Sequence, residues 1–449
     1  MSLRTRHRIG LMTAMLVLAT VVGTTAGVTV AGFIGTTSNG SNSITAATDF
    51  VAPNVTASVV ERTAGGGAGY LTKGSTYYVY ANVTDTGNPA SGVSSVTAHV
   101  KNIENGANNV ALTSGSYTAG GVTYSYRSAS RTADSNLSDG VQSYTVGATD
   151  NANNSGTASS FSVTIDSTAP SVSASVIARS GICSPGTAGF IRANGAYFLY
   201  ANVSDGSGSG VQTVTANVSN VTTGQTAVSL TSSGGPFSVG GVSYTYRSSS
   251  LTANSSLSTG SQTYTITATD NLGTSSGAQS GSVTVDNQAP SASDIQTTNV
   301  SGGTAGHAEA GDKIIFTFSE NMEPCSISSS WDGTGSVTVT VRMNKGTGSS
   351  DDTVQVYDSG NSSQLPFGTV DLGVQQGYAT ANRTFPSSTM TMSGAVITIT
   401  LGTASGSTGT ISSGTTTMTW NPSSSAIDRA GGTMSTTARA ETGTGDLDF

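Results

Sequence analysis

Histidine, cysteine and paired carboxylates carry most protein chemistry, and this chain uses them sparingly. Three histidines and two cysteines occur in 449 residues. His7 lies in a basic N-terminal head, His99 on an alternating apolar stretch and His307 in a Gly-rich loop. No G-x-S-x-G elbow, H-E-x-x-H pair or phosphate loop is present. A paired-carboxylate hydrolase needs two acidic groups converging in a cleft. Glu320 and Glu323 are close in sequence but fall at a strand end, where solvated carboxylates are common. The expectation is a protein without catalytic activity; an enzyme would need a cleft that brings His307 to carboxylates. Two kinds of chemistry remain, cation binding by carboxylates and disulfide formation by Cys183 and Cys325. Both depend on which elements bring distant residues together.

Charged residues are 9% of the chain against a usual ~25%. The polar surface must come from Ser, Thr, Asn and Gly. Abundant β-branched residues and 57 glycines disfavour long helices and suit short strands with tight turns. A net charge of −8 without a basic run beyond the first eight residues excludes nucleic acid as an expected partner. Residues 1–35 carry Arg4, Arg6 and Arg8 before an apolar run from Ile9 to Ile34, with small-residue exits at Ala26 and Ala31. That is the layout of a secretory signal peptide. The run is also long enough to span a bilayer, so an uncleaved segment would be an N-terminal anchor and the one contact with membrane.

Self-comparison organises the rest. Ala81-Asn-Val-Thr-Asp85 recurs as Ala201-Asn-Val-Ser-Asp205, and Gly121-Val-Thr-Tyr-Ser-Tyr-Arg-Ser128 as Gly241-Val-Ser-Tyr-Thr-Tyr-Arg-Ser248, both 120 residues later. The expected layout is a leader at 36–51, repeat one at 52–168, repeat two at 169–288 and a third β-domain at 289–449. Repeat one reads as seven strands, at 54–62, 76–85, 94–102, 109–113, 121–128, 142–149 and 159–166, with period-2 alternation. Seven short strands in such a span make a β-sandwich. Tyr144 and Tyr264 open the sixth strand, where a tyrosine corner would tie down the preceding loop; an ordinary cross-strand tyrosine is the alternative. The third domain opens at Gly311–Met322 and continues in alternating runs at 336–343, 353–357, 394–401 and 414–420. Gly/Ser stretches near 346–351 and 402–410 are expected hairpin loops, and 321–335 and 358–390 extra loops.

The repeats resemble bacterial immunoglobulin-like domains of surface proteins, through V-x-D…S-G-V at Val83–Val93 and A-T-D-N at Ala148–Asn151 and Ala268–Asn271. Gly311–Met322 is similar to the Ig-like domains of S-layer and cell-wall proteins, and Asp428-Arg-Ala-Gly431 to their D-x-A-G-N turn, with Gly432 in place of Asn. Gly32–Ala46 resembles the start of SipW-dependent-type exported proteins of Gram-positive bacteria. The fold expected is all-β, tandem immunoglobulin-like sandwiches in series after a signal segment.

In such a sandwich the second–third and sixth–seventh loops share the end facing the preceding domain. Asp166 is therefore expected near Asp205 and Asp270, and Asp286 near Glu320 and Asp428. Each trio could supply part of the oxygen shell of Ca²⁺; alternatively these residues simply make local turns. By the same topology Cys183, after the first strand of repeat two, and Cys325, after the second strand of the third domain, meet at one junction and form a disulfide, export permitting oxidation. Two free thiols are the alternative.

Tyr77, Tyr78, Tyr80, Tyr124 and Tyr126 could form a glycan-binding platform, but their strand placement favours packing. No LPxTG-type signal or apolar tail closes the sequence, which predicts no covalent wall anchoring of this chain. The leader is read as flexible, with strand donation to a neighbouring subunit as the alternative. The functional expectation is an exported cell-envelope protein whose Ig-like modules are spacers. Its expected partners are envelope or matrix proteins, self-association included. The alternative is an adhesin or glycan-binding accessory using the third domain.

Overall fold

The computed structural model describes residues 49–449 apart from 375–376, 413–416, 444–446 and 448. The signal segment at 1–35 and residues 36–48 of the 36–51 leader lie outside the described residues. The chain divides into two compact units, residues 1–168 and 169–449. Strand dominates both, and among the described residues one short helix occurs, Pro324–Ile327.

In the first unit the strands are β1 (Asn54–Arg62), β2 (Tyr70–Leu71), β3 (Thr76–Thr84), β4 (Val93–His99), β5 (Val110–Ala119), β6 (Val122–Ser128), β7 (Arg131–Thr132), β8 (Gly140–Asp150) and β9 (Ser159–Ile165). Their order is β1-β3-β6-β5-β4-β8-β9-β2, with β7 on β3. The β5–β6 hairpin passes from the layer of β1 and β3 to that of β4, β8 and β9. All pairings are antiparallel except β2 with β9. This strand order is that of an immunoglobulin-like sandwich. Alternation explains the core: Tyr77, Val79 and Ala81 of β3 face Val96, Ala98, Tyr144, Val146 and Val163 of the other layer. The inward series on β8 runs Tyr144, Val146, Ala148 and ends at Asp150, so the pleat itself buries a carboxylate at one end of the sandwich. The seven expected strands are present, most shifted by a residue or two; β2 and β7 are added, and β5 runs on to Ala119.

The tyrosine corner is corrected. Tyr144 Oη does not return to the preceding loop but crosses the sandwich to Ser58 Oγ on β1 at 3.0 Å. Ser58 gives its own proton to the Tyr80 carbonyl at 2.7 Å, so the tyrosine donates. The second copy keeps the bond as Tyr264 Oη with Ser175 Oγ at 3.1 Å. Each tyrosine thus ties the two layers together.

Residues 169–288 repeat this strand order, from Ser171–Arg179 to Gln279–Val285, with Gly260–Asp270 in the place of β8. Phe237–Val239 and Val242–Tyr244 pair as a separate two-stranded sheet. The nine-stranded sheet of residues 289–449 runs, in spatial order, Ala292–Thr298, Lys313–Phe318, Val396–Thr400, Arg383–Ser393, Val337–Asn344, Thr353–Asp358, Thr369–Asp371, Thr419–Asn421 and Arg439–Ala440. Its core centres on Trp420, fully buried with its ring 5.0 Å from Phe316 and 5.1 Å from Phe318. Two loop expectations are corrected here. Residues 383–393 form a central strand, and 402–410 join no hairpin, since Val396–Thr400 pairs with Lys313–Phe318 and Arg383–Ser393.

Candidate functional site

The same carboxylate turn recurs three times. Asp150 N–H donates to the Asn154 carbonyl at 3.1 Å, and Asp150 Oδ1 accepts from Asn154 N–H at 2.7 Å. Asp270 makes the same pair with Thr274, at 3.0 and 2.7 Å, and Asp428 with Gly432, at 3.0 and 2.8 Å. Before each sandwich stands a second aspartate, four residues ahead of a proline: Asp49-Phe-Val-Ala-Pro53, Asp166-Ser-Thr-Ala-Pro170 and Asp286-Asn-Gln-Ala-Pro290. The third acid follows the second long strand of each domain, as Asp85, Asp205 and Glu320.

In the first unit Asp49, Asp85 and Asp150 offer oxygens that lie within 4.8 Å of one another. This trio was not expected from the sequence, although the Asp-x-x-Ala-Pro spacing signals it. Its charges are met by N–H groups. Asp49 accepts from Val51 N–H at 3.0 Å and Ser91 N–H at 2.7 Å, which hold its carboxyl below the usual range. Asp85 accepts from Gly92 N–H at 2.7 Å. Asn154 Nδ2 donates to Asp150 Oδ2 at 2.8 Å and to the Asp49 carbonyl at 3.1 Å. Asp166, ending the same unit, donates its N–H to the Leu71 carbonyl at 2.8 Å. Within the second unit Asp205 and Asp270 bring oxygens within 4.8 Å of each other.

The third copy lies wholly within the second unit and is built differently. Asp286, Glu320, Asn321, Phe190 and Arg429 line one cavity. Burial pushes the Glu320 carboxyl up to about 8, reinforced by its hydrogen bond to Asp286 and by the charges of Asp286 and Asp428. Asp428 is raised too, first by burial, against donation from the Gly432 and Gly431 N–H groups. Asp428 is 1% exposed and its Oδ2 has no hydrogen-bond partner.

Beside this group the structure joins Cys183 to Cys325 by a disulfide, with Cα atoms 6.1 Å apart. The helix Pro324–Ile327 carries Cys325 and is preceded by Glu323, which is fully buried. Both Glu323 oxygens accept from Thr187 N–H at 3.1 Å, and Arg179 Nη2 stands 3.5 Å from Oε2. Burial raises the Glu323 carboxyl, while Thr187 and Arg179 pull it down. Arg179 Nε donates to the Arg429 carbonyl at 3.3 Å. Sequence reasoning found the cysteines and missed Arg179, and its solvated strand-end reading of Glu323 is corrected, since that carboxylate is fully buried between Thr187 and Arg179.

The other candidates fall elsewhere. His99 ends β4. His307 Nδ1 is 2.9 Å from the Gly409 carbonyl and shares a cavity with Glu309; Glu309 accepts from Thr304 N–H at 2.6 Å. Tyr77 is in the main core, while Tyr80 and Tyr124 form a smaller cluster with Tyr78 and Tyr117. Arg127 lies over Tyr78 at 4.3 Å and Tyr117 at 4.4 Å. Trp331 and Trp420 are core residues. Among the described residues the large exposed apolar side chains are Phe50, Val122, Val141 and Val242, with no Tyr or Trp.

No family profile matches the chain, and no curated protein matches it. Solved structures similar to it include the fibronectin(III)-like modules of CbhA from Clostridium thermocellum, 14% identical, covering 51% of this chain and 94% of that one, TM-score 0.23. The D00-D0 domain of Intimin is 13% identical over 51% of this chain and 100% of its own, TM-score 0.20. InvD of Yersinia pseudotuberculosis is 13% identical over 81% of this chain and 92% of its own, TM-score 0.20. Scores this low carry no argument about arrangement; the immunoglobulin-like fold rests on strand order and core. No helix among the described residues is long and apolar enough to cross a membrane.

Proposed function

We propose that this chain is an exported cell-envelope structural protein whose immunoglobulin-like modules act as spacers, with a stiff joint inside residues 169–449. The observation that carries this reading is the disulfide between Cys183 and Cys325, braced by the buried Arg179–Glu323 pair. A disulfide belongs in an oxidising compartment, and two sandwiches bridged this way resist bending at their joint. The signal-like head of residues 1–35 and the SipW-dependent-type resemblance of Gly32–Ala46 support export, and the S-layer-type resemblance of Gly311–Met322 supports an envelope setting. Envelope or matrix proteins, further copies of the chain included, are the partners such a spacer would join. The test is protease shaving of intact producing cells together with analysis of their medium. Recovery of the chain outside the membrane, with no retention on a glycan array, is expected. Retention inside the cell would overturn export, and selective glycan capture by residues 289–449 would replace the spacer with a glycan-binding accessory.

A further inference from the structure

We propose that Asn136 and Asn217 are acceptor sites for N-linked saccharides. Composition alone places Asn-x-Ser/Thr triplets in a chain this rich in Ser and Thr, and twelve occur without proline in the middle. The structure separates acceptors from bystanders. Four of the asparagines hold the fold through their amides. Asn82 Nδ2 donates to the Thr123 carbonyl at 3.0 Å while its Oδ1 accepts from Ser125 N–H at 2.8 Å. Asn202 repeats both bonds with Ser243 and Thr245, at 2.9 and 2.8 Å. Asn220 Nδ2 donates to the Thr263 carbonyl at 3.1 Å, as Asn102 does to that of Ser143 in the first unit. Asn254 Nδ2 donates to Thr223 Oγ1 at 3.0 Å. These amides tie turns to strands, and attaching a saccharide to any of them breaks a bond the fold uses.

Asn136 and Asn217 are exposed and have no such task. Asn136-Leu-Ser138 lies in the loop between β7 and β8, and among the described residues no hydrogen bond engages its amide or the Ser138 hydroxyl. Asn217 closes the strand Val211–Asn217, and its Oδ1 accepts from Ser219 N–H at 3.0 Å. This Asx turn bends the triplet and leaves Nδ2 and the Ser219 hydroxyl unengaged. Neither acceptor is repeated, since Ser256 corresponds to Asn136 and His99 to Asn217; the sandwich does not require them. The triplet is recognised through its hydroxyl as well as its amide, which sets the other exposed asparagines apart. For Asn54 and Asn153 that hydroxyl is bonded, Thr56 Oγ1 to the Asn82 carbonyl and Ser155 Oγ to Thr149 Oγ1. For Asn382 it belongs to Thr384, paired inside a strand. Asn299 and Asn361 are half-buried, and Asn39 lies outside the described residues.

The donor class is a saccharide carried on a polyprenyl diphosphate, delivered by a membrane-bound transferase. Asn Nδ2 forms a bond to the anomeric carbon as that carbon's bond to the diphosphate oxygen breaks. The leaving diphosphate takes the electron pair, one amide proton is released, and nothing is oxidised or reduced. The inference rests on the export reading, because such acceptors are surface loops of exported chains.

Glycopeptide mapping of the full chain made in its own producing cells tests it, comparing wild type with Asn136→Gln and Asn217→Gln. Saccharide mass is expected on the peptides bearing Asn136 and Asn217 and on neither Asn82 nor Asn202. Each substitution should remove one saccharide, and Ser138→Ala or Ser219→Ala should do the same with the asparagine retained. A chain recovered outside the cell with both sites bare overturns this inference alone. Saccharide on Asn82 or Asn202 instead overturns the sorting by engaged amides. An unmodified chain held inside the cell overturns the export reading and this inference with it.

Discussion

At the residue scale, the turns at Asp150 and Asp428 share backbone bonds but differ at their fifth residue, Asn154 in one and Gly432 in the other. Replacing Asn154 by Ala leaves Asp150 Oδ2 and the Asp49 carbonyl without their donor. The first unit should lose about 1–3 kcal/mol, read from chemical denaturation followed on that unit, and an unchanged midpoint would contradict the assignment. Glu320 sets a pH dependence of folding. Its folded pKa is raised from the ordinary 4.5 to about 8, so the folded chain holds the proton more tightly than the unfolded chain. That contribution is complete below pH about 4.5 and is lost as pH rises through about 8. The melting temperature of residues 169–449 within the full chain should fall between pH 5 and pH 8, with a flatter profile in Glu320→Gln. Identical slopes in the two proteins would count against the carboxyl–carboxyl contact. Tyr144→Phe should cost about 1 kcal/mol, because Ser58 Oγ keeps its donation to Tyr80 but loses the proton it accepts.

At the element scale, the joint at Cys183 and Cys325 combines a covalent and an electrostatic tie. The disulfide spans 142 residues of sequence, and removing it should cost about 2–4 kcal/mol. Glu323→Ala should cost more, about 3–5 kcal/mol, because Arg179 would remain buried without its partner. Denaturation of Cys183→Ser/Cys325→Ser and Glu323→Ala measures the order; a harmless Glu323→Ala would show that the pair carries no weight. Strands in the repeats were legible because Thr, Val and Tyr alternate without interruption. Arg383–Ser393 was not, because Pro386 and Ser387, the latter at φ 57°, break the alternation where the pairing register shifts between Val339 and Val341. The disulfide partners could be read from loop order alone. Arg179 and Glu323 could not, since a buried ion pair leaves no periodic signature and Glu323 looks like a solvated strand-end residue. The tyrosine corner failed for a similar reason: position predicts the ring's burial but not which hydroxyl across the sandwich receives its proton.

At the scale of the whole chain, the proposed role asks immunoglobulin-like modules to hold position as spacers. Carboxylates recur where sandwiches begin, and the cysteines are spent on one joint. The most direct measurement is peptide mapping, without reductant and after alkylation, of the chain recovered from outside intact cells. The account predicts a linked peptide pair containing Cys183 and Cys325 and no alkylated form of either. Two alkylated cysteines, or a chain found only inside the cell, would contradict it.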